Sequence, residues 1–401
     1  MLKRMKHFTI VNLILIIFSQ TLIAGDLERR QAKRIHDRLT GIPPTNAKLA
    51  EMETLLMSDS TGVSAAQKAV ENPAFYNVTL KNFIAPWTNE EQTVFVPLND
   101  YTATTIGLIR DGEDFRKILT GDVLYTGNSS LGISPYSPNN NDHYEQLEAL
   151  GPVAGNLADP AILQTQIQSN LNNIPVDATA GVITSRAAAK AFFIDGTNRA
   201  MFRFTFVNHL CTDLEPLKDN SRPSDKVRQD VSRSPGGDSR IYINSCLACH
   251  AGMDGLDSAY AHYDYDKDAG RLDYNASLIQ PKHLINPDNF KPGFIITDDS
   301  WVNYWRNGQN SLLGWGSYPG LTLDEKGNAI GNGLKSMGQE LANSDAFAQC
   351  QVKKVFETIC FRNPDDYAAD RAVKQTIVTD FKTDYNLLGV FTDVAAYCKG
   401  N

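Results

Sequence analysis

The stretch SDAFAQCQVKKVFETICF, from Ser344 to Phe361, carries the clearest helical pattern in the sequence. Phe347, Val355 and Ile359 fall on or close to one face when the stretch is wound as an α-helix. An apolar face of this kind is typical of a helix that packs against a core. We therefore expect a helix near the carboxyl end of the protein.

Helical patterns also occur at the amino end. Apolar residues recur at helical spacing through residues 27–39, and Gly41 with Pro43 is a helix stop. Further helices are predicted at three places: from about Asn46, over residues 111–119 and from Tyr144. The predicted fold class is mainly α, with a helical amino-terminal domain over residues 25–175 and a second helical domain with long loops over residues 176–401.

The composition limits what the protein can be. Of 401 residues, 42% are hydrophobic and 21% are charged, which is enough apolar material for a sizeable core. The formal net charge is −8, with no long run of one sign. This balance argues against nucleic acid as a partner, because such partners require a basic surface. No uninterrupted apolar stretch reaches about 18 residues, which argues against an integral membrane domain beyond the amino-terminal signal.

The amino end has the order of a secretory signal peptide. Basic residues within positions 3–6 precede the apolar run FTIVNLILIIF (8–18), and a small residue follows at Ala24. We predict cleavage after Ala24, which removes the signal peptide 1–24 and gives a periplasmic or secreted protein. Leu22 occupies a position where a small residue is preferred, so an uncleaved anchor is the alternative.

Residues 246–250 read CLACH, the attachment pattern of c-type haem. Two thiols on one helical turn can each form a thioether with a haem vinyl group, and the adjacent imidazole then reaches the iron. With 6 cysteines and 7 histidines in the sequence, chance would produce this pattern about 0.002 times. We predict one covalent haem c held by Cys246 and Cys249, with His250 as the proximal iron ligand. Residues 176–401 are then predicted to be a cytochrome-c-like haem domain.

Two other chemistries use paired cysteines. A zinc site needs a second Cys or His pair at ribbon or finger spacing, and Cys350 and Cys360 are ten residues apart. A thioredoxin-like dithiol needs a strand that leads into the motif, which residues 239–244 do not suggest. Both are kept as alternatives to haem attachment.

The sixth iron ligand separates possible functions, because a Met ligand suits electron transfer and an open position suits peroxide or small-gas chemistry. Met337, in GNGLKSMGQEL shortly before the predicted carboxy-terminal helix, is the predicted sixth ligand. It could instead be a core methionine on a short helix. His262, His283 and an open position are the other candidates. Met253 is excluded because it lies three residues past the proximal histidine and would stay on the same side of the haem.

Four cysteines remain once the haem has two: Cys211, Cys350, Cys360 and Cys398. In an oxidising compartment this even number predicts two disulfides. If Cys350 and Cys360 share one continuous helix they are about 15 Å apart, beyond disulfide reach. Each would then pair with Cys211 or Cys398, and the sequence leaves open which.

The motif segment SCLACHAGMDGLDSAYAHYD (245–264) resembles the haem-bearing domain of large planctomycete-type cytochromes. Gly255 stands where those proteins usually have Pro. Four more segments are similar to the same proteins, in the same order: RIHDRLTGIPPTNAKLAEM (34–52), DFRKILTGDVLY (114–125), AGVITSRAAAKAFFIDGTNRAMFRFTFVNHL (180–210) and ELANSDAFAQCQVKKVFETICFRNP (340–364). The resemblance implies a mainly helical haem protein of a family without a settled activity, and it implies no particular reaction.

We expect electron transfer between redox partner proteins that the sequence does not identify. One alternative is a haem enzyme, such as a peroxidase or an oxidase subunit, with an open sixth position. Another is a haem protein whose amino-terminal domain docks a partner.

Overall fold

The computed structural model describes residues 25–193, 199–227, 238–283 and 294–400. The predicted signal peptide, residues 1–24, lies outside these ranges. Within them the protein is mainly helical, which confirms the predicted fold class.

The α-helices vary from single turns to more than four turns. In chain order they are α1 (25–40), α2 (Asn46–Ser58), α3 (Val63–Ala69), α4 (Lys81–Ile84), α5 (Asp100–Arg110), α6 (Lys117–Thr120), α7 (Asp142–Ala149), α8 (Gly151–Ala154), α9 (Gln168–Asn172), α10 (Arg186–Phe192), α11 (Arg199–Leu210), α12 (Ser239–Ile241), α13 (Leu247–Asp257), α14 (Gly333–Ala342), α15 (Asp345–Cys360), α16 (Ala368–Asp384) and α17 (Leu387–Tyr397). No helix in the described ranges combines the length and the apolar composition that a bilayer crossing requires.

Helix α15 shows how the sequence determines these elements. The Ser344 hydroxyl accepts a hydrogen bond of 3.1 Å from the backbone N–H of Phe347 and caps the first turn. Phe347, Val355 and Ile359 are completely buried, as their spacing predicted. The helix ends where Phe361 takes a left-handed backbone conformation, with φ of 56°. The predicted carboxy-terminal helix is therefore confirmed.

The helix predicted over residues 111–119 was wrong for most of its length. Helix α5 ends at Arg110, and the next residues form its cap rather than a new helix. Gly112 has φ of 62°, a left-handed conformation that ends the helix and redirects the chain. Helical structure resumes at Lys117 and lasts for one turn.

Short strands in the described ranges pair into three small antiparallel sheets. They are β1 (Leu124–Gly127) with β2 (Leu163–Gln166), β3 (Tyr263–Asp266) with β4 (Arg271–Tyr274), and β5 (Ser300–Asn303), β6 (Thr322–Leu323) and β7 (Ala329–Asn332) in the order β5-β7-β6. In the third sheet Trp301 of β5 is opposite Gly331 of β7. Helix α13 packs against β5, so this sheet supports the helix that follows the CLACH motif.

A large hydrophobic core joins both halves of the described chain. Helix α15 packs against α11, α16 and α17, while α17 contacts α3 and α14 contacts α6. The backbone N–H of Gly181 also donates to the carbonyl of Gly121 at 2.8 Å. Elements from both sides of residue 175 therefore share one core. The predicted division at that residue does not correspond to two separate cores, and the domain assignment stays a prediction.

Candidate haem-attachment site

The CLACH motif lies where the chain enters α13. A π-helical turn, Tyr242–Cys246, leads directly into this helix. Cys249 and His250 consequently lie in the first turn of α13, and Cys246 is the residue immediately before it. Both cysteines are partly exposed, whereas His250 is only 7% exposed. The two thiols and the imidazole are thus carried by one continuous piece of helical backbone.

All six cysteines lie within the described ranges, and four of them form two disulfides. Cys211 bonds to Cys350, with Cα atoms 5.2 Å apart, and Cys360 bonds to Cys398, with Cα atoms 5.7 Å apart. Cys350 and Cys360 share α15 and do not bond to each other, which confirms the prediction from helix geometry. The two motif cysteines are left as free thiols.

The loop that follows Asp213 covers the first turn of α13. The Sγ atom of Cys249 lies 3.7 Å from the carbonyl oxygen of Leu214, to which it donates. The carbonyl of Ala248 accepts a hydrogen bond of 2.9 Å from the backbone N–H of Asp219. Burial raises the pKa of the Cys249 thiol, so Cys249 is uncharged at neutral pH. The attacking cysteine of a redox dithiol has a lowered pKa instead.

His250 is fixed in orientation by a carboxylate on its own helix. Its Nδ1 lies 2.8 Å from Oδ1 of Asp254, one turn further along α13. A carboxylate oxygen accepts hydrogen bonds, so Nδ1 is the donor in this pair and Nε2 is the ring nitrogen that Asp254 leaves unused. The ring of Tyr242 packs against the imidazole with centroids 5.4 Å apart. Nε2 is therefore the nitrogen available to a metal.

Two ion pairs form within the loop that follows Asp213. Asp219 and Arg222 form an ion pair at 3.2 Å, and Glu215 pairs with Lys218 at 2.6 Å. Asp225 accepts a hydrogen bond of 2.8 Å from the Tyr304 hydroxyl. The loop thus brings charges of both signs beside the motif.

Met337, the predicted sixth ligand, lies on α14 and is completely buried. It belongs to the large core, together with Leu334 and Leu341 of the same helix. Tyr242, which packs on His250, belongs to a separate small apolar cluster with Val227. The structure thus does not bring Met337 into the apolar cluster beside His250, and its role as a ligand remains a prediction.

The two histidine candidates for the sixth position are also buried. His262 is held at Nδ1 by the carbonyl oxygen of Leu278 at 2.9 Å, and its Nε2 lies 4.0 Å from Oδ2 of Asp299. His283 ends a short 3₁₀ turn and is completely buried. The Leu278 and Asp299 contacts of His262 do not involve His250, and both histidines remain candidates.

The donor set fits a covalently attached haem. The two thiols are free and partly exposed on one helical turn, and the next residue offers Nε2 of an imidazole whose ring is already oriented. Among the residues that the structure describes, no three His, Cys, Asp or Glu side chains are placed to hold a metal ion. The zinc alternative therefore gains no support from the geometry.

Sequence reasoning missed two residues of this site. Asp254 lies four positions after His250, and within a helix that spacing brings two side chains onto one face. This signal was present in the sequence. Tyr242 precedes the motif in a π-helical turn, and no sequence pattern announced its contact with the imidazole.

Comparison of the chain with known protein families, with curated proteins and with solved structures found no match. The resemblance to planctomycete-type cytochromes thus stays an expectation that rests on the segments quoted above. What can be concluded about function depends on the residues of the site.

Proposed function

We propose that the protein is an exported c-type cytochrome that carries one covalently attached haem and transfers electrons. In this proposal Cys246 and Cys249 hold the porphyrin, and His250 is the proximal ligand. Met337 is proposed as the sixth ligand.

The observation that carries the proposal is the division of the cysteines. Four of the six are used in disulfides that join positions 139 and 38 residues apart in the sequence. The two that stay free are the two of the CLACH motif, beside the histidine that the motif requires. Disulfides and a secretory leader both belong to the exported side of a membrane, where haem is attached to such motifs.

The residues of the site have separate tasks in this proposal. Each thiol would add its S–H across one vinyl group, so that a C–S and a C–H bond would form and neither oxidant nor reductant would be consumed. Nδ1 of His250 stays with Asp254, which leaves Nε2 for the iron. When bound, the haem supplies a one-electron couple. Because Cys246 and Cys249 are partly exposed, this turn is reachable from solvent, as electron transfer to a partner requires.

The proposal is tested with the full chain, exported in a host that contains the haem-attachment machinery. We expect a coloured protein whose intact mass exceeds that of the mature polypeptide by one haem. Replacing both Cys246 and Cys249 with Ser should abolish the covalent haem. The matched control is Ser245→Ala at the exposed residue next to Cys246, and this variant should keep the covalent haem. A colourless product with the mass of bare polypeptide would overturn the proposal.

The absorption spectrum of the same material separates the electron carrier from a haem enzyme. A low-spin spectrum that cyanide and carbon monoxide leave unchanged agrees with two protein ligands and electron transfer. A high-spin spectrum that responds to these ligands would favour an open sixth position and the enzyme alternative.

A further inference from the structure

Asp254 and His250 form a pair that is unusual for neighbours on a helix. Side chains four residues apart on exposed helix faces form ion pairs that contribute little to stability. Here the side chain of His250 is 9% exposed and that of Asp254 is 0% exposed. Burying a carboxylate is unfavourable unless it is hydrogen-bonded or paired. The burial of this pair indicates a role other than surface stabilisation.

The geometry directs the carboxylate at one nitrogen of the ring. Oδ1 of Asp254 lies 2.8 Å from Nδ1 of His250, a short distance for a charge-assisted hydrogen bond. The Tyr242 ring packs on the same imidazole. Helix α13 is continuous from Leu247 to Asp257, so the backbone between the two side chains is rigid. Both the tautomer and the orientation of His250 are therefore set before any ligand binds to Nε2.

A carboxylate that accepts the Nδ1 hydrogen makes the imidazole a stronger electron donor through Nε2. A stronger donor stabilises ferric iron more than ferrous iron, because the ferric ion carries the larger charge. The low polarity of a buried site strengthens this effect. The direction of the effect is a lower reduction potential.

We propose that Asp254 is a positioning residue that fixes the proximal His250 and lowers the reduction potential of the haem. This inference rests on the proposed function. It adds to that function a named residue that tunes the iron through its ligand. It also predicts that this cytochrome donates electrons more readily than one whose proximal histidine bonds to a neutral carbonyl.

The test is the midpoint potential of the full-length holoprotein with Asp254→Asn. Asn keeps the shape and a neutral oxygen acceptor but removes the charge. At a fixed ambient potential we expect the ratio of ferric to ferrous protein to fall about tenfold, which corresponds to a rise of about 59 mV for a one-electron couple. Asp254→Glu should return the potential toward the wild-type value, since it restores a carboxylate. If Asn at this position prevents folding, Asp254→Ser supplies an uncharged hydroxyl acceptor, and the same upward shift is expected.

Asp257 supplies the matched control, because it is also completely buried on α13. Asp257→Asn should shift the potential less than Asp254→Asn does. An unchanged potential in the Asp254 variants would overturn the inference, and so would equal shifts at both positions. Intact mass is measured in parallel. Wild-type protein without haem refutes the proposed function itself, whereas loaded variants with an unchanged potential refute only the role of Asp254.

Discussion

Removal of the Cys360–Cys398 disulfide should destabilise the protein, while removal of the motif cysteines from haem-free protein should not. The disulfide joins residues 38 positions apart and ties α17 to the end of α15. Loop-closure entropy for a loop of that length corresponds to about 4 kcal/mol at 25 °C. For a chain of 401 residues the unfolding entropy is about 0.8 kcal/mol/K, so Tm should fall by about 5 °C.

The assay compares denaturant and thermal unfolding of haem-free protein in three forms. These are the wild type, a variant with Ala at positions 360 and 398, and a variant with Ala at positions 246 and 249. The variant at 360 and 398 should lose about 4 kcal/mol of unfolding free energy. The variant at 246 and 249 should lose less than about 1 kcal/mol, because the thiols it removes are partly exposed. Equal losses in the two variants would refute the division of the cysteines into structural and haem-binding pairs. Wild type treated with a reductant should behave like a disulfide-free protein.

Three further predictions concern Lys354, Met337 and Gly252. Burial lowers the pKa of Lys354 from 10.5 to about 7, so the unfolded chain binds more protons than the folded one between these pH values, and the free energy of unfolding should rise with pH across this window. Replacing Lys354 with Met should therefore stabilise the protein most below pH 7. A stabilisation that does not depend on pH in urea titrations would contradict this. Met337→Ala should lower the free energy of unfolding of the haem-free protein by about 2–5 kcal/mol, because it leaves a cavity in the core. If Met337 binds the iron, the same substitution should convert a low-spin holoprotein to high-spin. An unchanged absorption spectrum would remove Met337 as a ligand. A Cβ atom at Gly252 would lie 1.9 Å from Nε1 of Trp305. Gly252→Ala should therefore lower the free energy of unfolding by about 1–3 kcal/mol through overpacking. A variant with the same Tm as the wild type would contradict this close approach.

The helices that sequence predicted correctly are those with clear periodicity and local capping signals. α15 has both, since Ser344 caps it and its apolar face is buried. The prediction over residues 111–119 failed because Gly112 adopts a left-handed conformation that the apolar pattern does not reveal. A helix was predicted correctly where the apolar periodicity and a capping residue pointed to the same boundaries. The prediction failed where one glycine conformation, which the apolar periodicity does not show, ended the helix.

The candidate site was only partly predictable for a related reason. Cys246, Cys249 and His250 are contiguous, so their spacing alone identifies them. Asp254 was accessible through helical spacing, but its burial was not, because burial depends on tertiary packing. The contact of Leu214 with Cys249 joins residues 35 positions apart and follows only from the folded loop. The pairing of Cys211 with Cys350 likewise required the packing of α11 on α15.

The central claim is that Cys246 and Cys249 carry a haem, and peptide mass spectrometry tests it most directly. Tryptic cleavage after Arg240 and Lys267 releases one peptide that contains the whole CLACH motif. In protein exported with the attachment machinery and treated with a thiol-alkylating reagent, we predict that this peptide carries the mass of one haem and no alkyl group. The same peptide recovered with two alkylated thiols and no haem would contradict the account.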